Sequence, residues 1–495
     1  MTGSCMRNIE KYITDRTWLS CSVVLAVGLV LRLVQIGSKS LWVDEAYAAG
    51  LMGMDPVGLV RMSVAGSPHP PLAFLFLRLS TMVFGQGEAG LRMIPALASA
   101  LAAVPLMLLI SRRTGMRPAF WTGLLWAAAP FAVSLGQEAW LYGILSLLGF
   151  CLLDTADRAW RGSRTALCLL VPVAITGSLV QHMFLLFVAA ALGLYFTVPS
   201  GERISWKKLA AVSAVFIAFY SPFALLMLKQ ATFRSERISR ASLDMSMIYR
   251  YRLLSRVPTV LARLIPGGLL AEAGRGMLQQ GRQLALWLFF SILDLVLALV
   301  LFFRSSLSVR FRLWLLMLIV VPLMLFLKED PTVRHLCIMW VPLAFAAAAA
   351  SEKWKSAGPL LVLAAAVMLL PYYRIRSFPY HRSDWRGAVR LVEERAGTDE
   401  GILVLGGQSG GLAWDFYSTT DMPRTAYGGE EPYTERIAPG RSLEQTLDSL
   451  FTVYPSIWVV HDDWGGPSAS EQAAGHAVLW QTRVGQSIEV IHISF

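Results

Sequence analysis

Apolar runs of roughly 16 to 22 residues recur along the chain as far as residue 373. That is the length a helix needs to cross a hydrocarbon core. Runs of this kind, repeated, leave little choice but a polytopic helical membrane protein. Composition agrees: 55% of the 495 residues are hydrophobic, 16% are charged and the mean hydropathy is +0.53. Those values fall outside the range of a soluble enzyme. Spans read at about 18–36, 91–111, 117–136, 139–157, 165–181, 183–198, 208–228, 284–303, 311–327, 335–350 and 356–373, about eleven in all. The first follows a basic tail with Arg7, Lys11 and Arg16 and has no small-residue cleavage pattern, so it reads as a retained anchor.

The stretch 70–85 is apolar but short, opens with Pro70 and Pro71, and carries Arg78 in its middle. A central arginine is costly in a span, so this stretch is expected to be an interfacial helix. Leaving it out of the count puts the basic clusters Arg112/Arg113/Arg117, Arg158/Arg161/Arg164, Arg203/Lys207/Lys208, Arg304/Arg310/Arg312 and Lys353/Lys355 on one side. The positive-inside rule makes that side cytoplasmic, with the N-terminus inside and the C-terminus outside. The formal charge of +11 then reads as inner loops meeting lipid phosphate. No nucleic-acid motif is present. Cys5, Cys21, Cys151, Cys168 and Cys337 offer neither a disulfide framework nor a CxxC zinc site.

With this threading, Asp44/Glu45, His69, Gln137/Glu138, Gln181/His182 and Arg334/His335 all fall at outer helix ends. Two outer loops are long, 37–90 and about 229–283, the second rich in arginine. After residue 373 the composition turns polar. "ILVLGG" (402–407), "SIWVVHDD" (456–463) and "IEVIHISF" (488–495) read as strands, and 384–397 and 442–451 as helices. The chain thus divides into a transmembrane part, 1–373, and an extracytoplasmic α/β domain, 374–495. "GGQSGG" (406–411) lacks the spacing and the lysine of a phosphate loop and reads as a strand-to-helix turn.

The stretches "RLVQIGSKSLWVDEAYAAG", "SPHPPLAFLFLRLSTMVFGQGEAGLRMIPALASALAAVPLMLLISRRTG" and "GQEAWLYG" closely resemble the polyprenyl-phosphate-sugar-dependent glycosyltransferases of the GT-C fold. That superfamily includes protein O-mannosyltransferases and lipid A aminoarabinose transferases. The resemblance covers about residues 18–350 and is strongest over 30–145. The ordered set DE, HPPL, FG–x–R and QE–x–x–Y carries it. "DWRGAVRLV" also looks like bacterial members. The resemblance implies inverting transfer of a sugar from an undecaprenyl- or dolichyl-type phosphate to an extracytoplasmic lipid, glycan or protein, in the bacterial inner membrane. It makes Asp44 the candidate base, with Glu45 beside it.

Elementary chemistry agrees with that assignment. A phosphate ester leaves readily, so no general acid is demanded, whereas the acceptor hydroxyl must lose its proton. Arginine forks suit the donor phosphate, which points to Arg334 and Arg92. His69, Glu138, Tyr142 and His182 are the remaining candidate substrate contacts. Relatives often have arginine where this chain has Trp140, and Arg–Tyr where it has Arg334–His335. His69 has no second histidine at ligand spacing, so no metal or other cofactor is expected. The rival readings are a transporter or flippase for lipid-linked saccharides, and a non-catalytic scaffold. Midplane polar residues in broken helices would favour transport; here the ionisable groups gather at one face, Asp294 excepted.

Overall fold

In a computed structural model of the chain, the structure describes residues 10–66, 69–241, 306–326, 337–374, 383–405, 407–420, 424–427, 443–462, 475–485 and 488–494. They form two compact units. One comprises Met1–Val34, Asp55–Ser80 and Arg92–Arg374; the other comprises Gln35–Met54, Thr81–Leu91 and Ile375–Phe495.

The first unit is helical. Its elements are α1 (Thr17–Leu33), α3 (Pro56–Gly66), α4 (Pro71–Phe84), α5 (Glu88–Leu101), α6 (Ala103–Thr114), α7 (Met116–Ala128), α8 (Pro130–Gln137), α9 (Tyr142–Trp160), α10 (Arg164–Val180), α11 (Leu185–Leu194), α12 (Trp206–Ala241), α13 (Val309–Phe326), α14 (Trp340–Lys353) and α15 (Ala357–Arg374). The ends of α4 and α5 that face each other in sequence belong to the second unit. Local chemistry sets several helix ends. The Ser163 hydroxyl accepts the Ala166 N–H and opens α10, and the Asp55 carboxylate accepts the Val57 and Gly58 N–H groups at the start of α3.

By length and composition, three helices among the described residues can cross a membrane: Glu88–Thr114, Trp206–Leu225 and Ala357–Arg374. The pair α7–α8, bent by 52°, makes up to four. The expected count of about eleven therefore goes beyond what these residues carry. The expected span 139–157 is the 19-residue α9, which holds Asp154, Asp157 and Arg158. The expected span 183–198 is a 3-10 turn (His182–Phe184), α11 and a second 3-10 turn. The 70–85 stretch is the 14-residue α4. The span at 284–303, Asp294, most of the loop 229–283 and Arg334/His335 lie outside the described residues.

The expected span 117–136 is the bent pair α7–α8. Pro130 has no N–H, so the Trp126 carbonyl loses its helical donor. Arg32, fully buried on α1, supplies replacements. Its Nη2 donates to Trp126 O at 3.3 Å, its Nη1 to Ala127 O at 3.0 Å and Gly28 O at 3.1 Å, and its Nε to Ser99 Oγ at 2.9 Å. Ser99 passes the connection on, donating to Ala132 O at 2.8 Å, and its own carbonyl accepts the Trp126 indole N–H at 2.8 Å. Gln137 donates to Arg32 O and Val34 O and accepts from the Tyr372 hydroxyl. The network joins α1, α5, α7, α8 and α15.

The far end of α9 carries a second cluster. Asp154 pairs with Arg112 at 2.6 Å and Arg158 at 2.8 Å; Asp157 pairs with Arg112 at 2.8 Å, Arg161 at 3.5 Å and, more closely, Arg113. Arg161 also reaches Glu202 at 2.6 Å.

The second unit holds α2 (Val43–Leu51), α16 (Trp385–Glu393), α17 (Gly407–Tyr417), α18 (Leu443–Phe451) and strands β1 (Gly401–Leu405), β2 (Arg424–Tyr427), β3 (Ser456–Asp462), β4 (Ala477–Val484) and β5 (Ile488–Ser494). The sheet order is β2-β1-β3-β5-β4; β1 runs parallel to β2 and β3, and β5 antiparallel to β3 and β4. Of "GGQSGG", residues 407–411 form the start of α17, and Gly406 lies outside the described residues. The short β2 and the mostly exposed β4 had no clear strand signal in the sequence. One sheet face packs Ile402, Val404, Trp458 and Val460 with Trp385, Val389 and Trp414 of α16 and α17, and with Ala46 of α2. The other packs Leu403, Val459 and Ile491 against Leu447 of α18. Thus α2, from the stretch 37–90, belongs to the core of the C-terminal sheet.

Replacing Arg32 tests its role at the bend. Arg32→Met strands two buried carbonyls at about 1–3 kcal/mol each. The detergent-solubilised variant is expected to lose at least about 2 kcal/mol of stability, read as a lower melting temperature. An unchanged melting temperature would remove the capping role.

Candidate active site

The acid pair sits in the first turn of α2. Carboxylates are favoured there because the unsatisfied N–H groups give the helix N-terminus a partial positive charge. The two acids then part ways. Glu45 is fully buried, and its Oε2 accepts the Trp42 backbone N–H at 3.4 Å, closing the helix start. Asp44 is only half-buried. The two carboxylates thus differ in burial: Glu45 is enclosed at the helix start, while Asp44 keeps part of its surface exposed.

In the helical unit, residues from three distant segments make a continuous polar strip. His69 Nδ1 lies 3.4 Å from Gln181 Nε2. Gln181 Oε1 accepts the His182 N–H at 2.9 Å, and His182 Nδ1 lies 3.3 Å from the Tyr220 hydroxyl. The His69 ring meets the edge of Trp140 at 5.1 Å between centroids, and Trp140 also contacts Phe74 of the HPPL helix α4. The strip is shaped by helix interruptions. The Gln181 backbone is extended between α10 and the 3-10 turn, and Pro70 and Pro71 end one segment and begin another.

Arg92, Glu138 and Tyr142 are each at most 1% exposed. Arg92 lies on α5 one turn before Pro95. The backbone of Gly143, beside Tyr142, comes so close to α5 that a Cβ there would stand 2.6 Å from the Pro95 carbonyl oxygen. Only glycine permits that approach, which brings the end of "GQEAWLYG" against the middle of α5. Glu138 terminates α8 in extended backbone.

The structure therefore gathers His69 and His182 and adds Trp140, Gln181 and Tyr220, and it brings the Arg92 helix against Tyr142. Asp44 and Glu45 belong to the other unit, and Arg334 lies outside the described residues. Tyr220 was missed in the sequence because it looked like one more aromatic in an apolar run. Its signal was a hydroxyl inside such a run, which must find a partner when buried. Among the described residues no group of three or more His, Cys, Asp and Glu could hold a metal ion.

Residues 68–226 match the family described as dolichyl-phosphate-mannose-protein mannosyltransferase. No curated protein matches the chain. Among solved structures, ArnT from Cupriavidus metallidurans bound to undecaprenyl phosphate is similar at 15% identity, covering 95% of this chain and 97% of that one, with a TM-score of 0.57. The Archaeoglobus fulgidus oligosaccharyltransferase tethered with an acceptor peptide containing the NVT sequon is similar at 14% identity, covering 89% and 69%, with a TM-score of 0.50. On the family match over residues 68–226 and on its fold, the chain is a membrane glycosyltransferase of the GT-C fold.

Proposed function

We propose that the enzyme transfers a sugar, with inversion, from a polyprenyl-phosphate donor to an extracytoplasmic acceptor, with Asp44 as general base. The observation that carries this reading is the difference in burial within the acid pair: Glu45 is fully buried in the helix cap while Asp44 is half-buried. An acceptor hydroxyl attacks the anomeric carbon as the carbon–oxygen bond to phosphate breaks. Polyprenyl phosphate departs with the electron pair, and the hydroxyl proton passes to Asp44. The solved ArnT bound to undecaprenyl phosphate supports a lipid-phosphate donor.

In the same reading Arg92 and Arg334 hold the donor phosphate and offset charge that grows on it as it leaves. His69, Glu138, Tyr142 and His182 contact substrate, and Gln181 and Tyr220 orient the two histidines. The protein lies in a bacterial inner membrane, its N-terminus cytoplasmic and its C-terminal sheet periplasmic. The buried Arg32 favours chemistry over alternating access. It is one ionisable side chain that a transporter reading would claim, yet its donors are taken up by the helix bend.

The test is transfer from a panel of radiolabelled undecaprenyl-phosphate hexoses and pentoses to envelope lipid, glycan and protein, by purified enzyme. Asp44→Asn is expected to fold normally and to lose about 10²–10⁴-fold in rate, the range for a positioned base. Turnover close to wild type in that variant would rule out Asp44 as the base. Glu45→Gln should instead lower the melting temperature and spare much of the rate.

Tyr220→Phe removes one neutral hydrogen bond and Gln181→Ala two. Each should reduce kcat/KM by about 2- to 10-fold, the equivalent of roughly 0.5–1.5 kcal/mol, with melting unchanged. No effect from either would detach the strip from the site. Activity is expected to survive EDTA, since the leaving phosphate is offset by arginine. Loss in EDTA, reversed by Mn²⁺ or Mg²⁺, would contradict this.

A further inference from the structure

Arg386 opens α16 in "DWRG" and binds the segment that leads into α2. Its Nη2 donates to the Gly37 carbonyl at 2.9 Å, its Nη1 to the Ser38 carbonyl at 3.4 Å, and its backbone N–H to Ser40 Oγ at 3.2 Å. Its Nε donates to Glu88 Oε1 at 3.0 Å, and Nη2 makes a still closer contact with the same oxygen. Burial alone would lower the Arg386 pKa; the Glu88 carboxylate outweighs it and holds the pKa above its ordinary value.

Tyr417, the last residue of α17, completes the assembly. Its hydroxyl accepts the Leu41 N–H at 2.7 Å and donates to Glu88 Oε1 at 2.8 Å. Leu41 is three residues from Asp44, and the next N–H in the chain, that of Trp42, is the one bonded to Glu45.

The far end of α2 is pinned by packing. Ala46 is part of the sheet core, and a Cβ on Gly50 would meet Leu412 Cδ2 at 2.6 Å. The sheet's own cohesion comes from the apolar faces around Trp385, Trp414 and Trp458. The polar triad Arg386–Glu88–Tyr417 is spent on the approach to Asp44.

We infer that Arg386, Glu88 and Tyr417 are positioning residues for sugar transfer: they lock residues 37–42 onto the C-terminal sheet and so fix where the Asp44 carboxylate stands. This inference rests on Asp44 being the base. It gives the C-terminal domain a catalytic purpose, as the mount of the acid pair. Misplacing a reacting group by about 1 Å can cost on the order of 10²-fold in rate, so the triad should control turnover while leaving donor binding alone.

The experiment uses full-length enzyme in nanodiscs, with Tyr417→Phe, Arg386→Lys and Glu88→Gln, alone and combined with Asp44→Asn. On whichever donor of the panel the wild type uses, the single variants should lower kcat by about 10- to 100-fold with donor KM within about 2-fold. In the Asp44→Asn background the same changes should cost less than about 2-fold, because the carboxylate they place is gone. Hydrogen exchange of the 41–47 amides should quicken in the single variants, with β3 amides unchanged.

Wild-type kcat in all three single variants, or an equal loss in the Asp44→Asn background, would overturn the inference. Tyr417→Phe deletes a single oxygen, so it remains informative where Arg386→Lys folds poorly. Full turnover by Asp44→Asn alone would sink the functional reading instead. Unaltered exchange at 41–47 would sink the positioning role whatever the enzyme's substrate.

Discussion

The helical unit depends on one guanidinium. Water cannot reach a proline bend inside a bilayer, so the carbonyls that the bend releases need donors from the protein. Arg32 reaches two of them and Ser99 in one fork. A lysine could not span those acceptors, because its donors radiate from a single nitrogen. Ser99 and Gln137 then carry the same network to three further helices. The bend in turn directs α8 towards Glu138 and Trp140, where the extended backbone begins and the histidine strip is met. The position of the strip's aromatic wall thus traces back to an arginine on the first helix.

The acid pair has a different dependence. Its helix is nine residues long, too short to hold itself in water. Its fold comes from the C-terminal sheet, with Ala46 in the core. A local cap comes from Glu45. Two adjacent acids therefore do unlike things for a geometric reason: successive helical residues lie about 100° apart, so one faces the packed core when the other does not.

Much of this was legible in the sequence. Apolar run length and the basic clusters marked the helical part, and the composition change after residue 373 marked the sheet. The motifs DE, HPPL and QE–x–x–Y named most of the candidate site residues. Three things were not legible, each for a physical reason. Pro130 lies within the expected span 117–136, but Arg32, which caps the bend there, lies almost a hundred residues earlier, and sequence spacing says nothing of such a pairing. Strand β4 is mostly exposed, so it lacks the apolar alternation that betrays a half-buried strand. The entry of α2 into the C-terminal core rests on Ala46 and Gly50, small residues whose only signal is the space they leave.

The cluster at the far end of α9 bears on how the chain is made. Arg112 and Arg113 emerge from the ribosome some forty residues before Asp154 and Asp157. When the helix preceding them inserts, they are unpaired, and as bare cations they can fix its orientation; acidic residues carry little weight in that decision. Once α9 follows, the same guanidiniums close on its two aspartates. The same cations that a charge rule would weigh in the unfinished chain are thus, in the folded one, a fastening between α6 and α9.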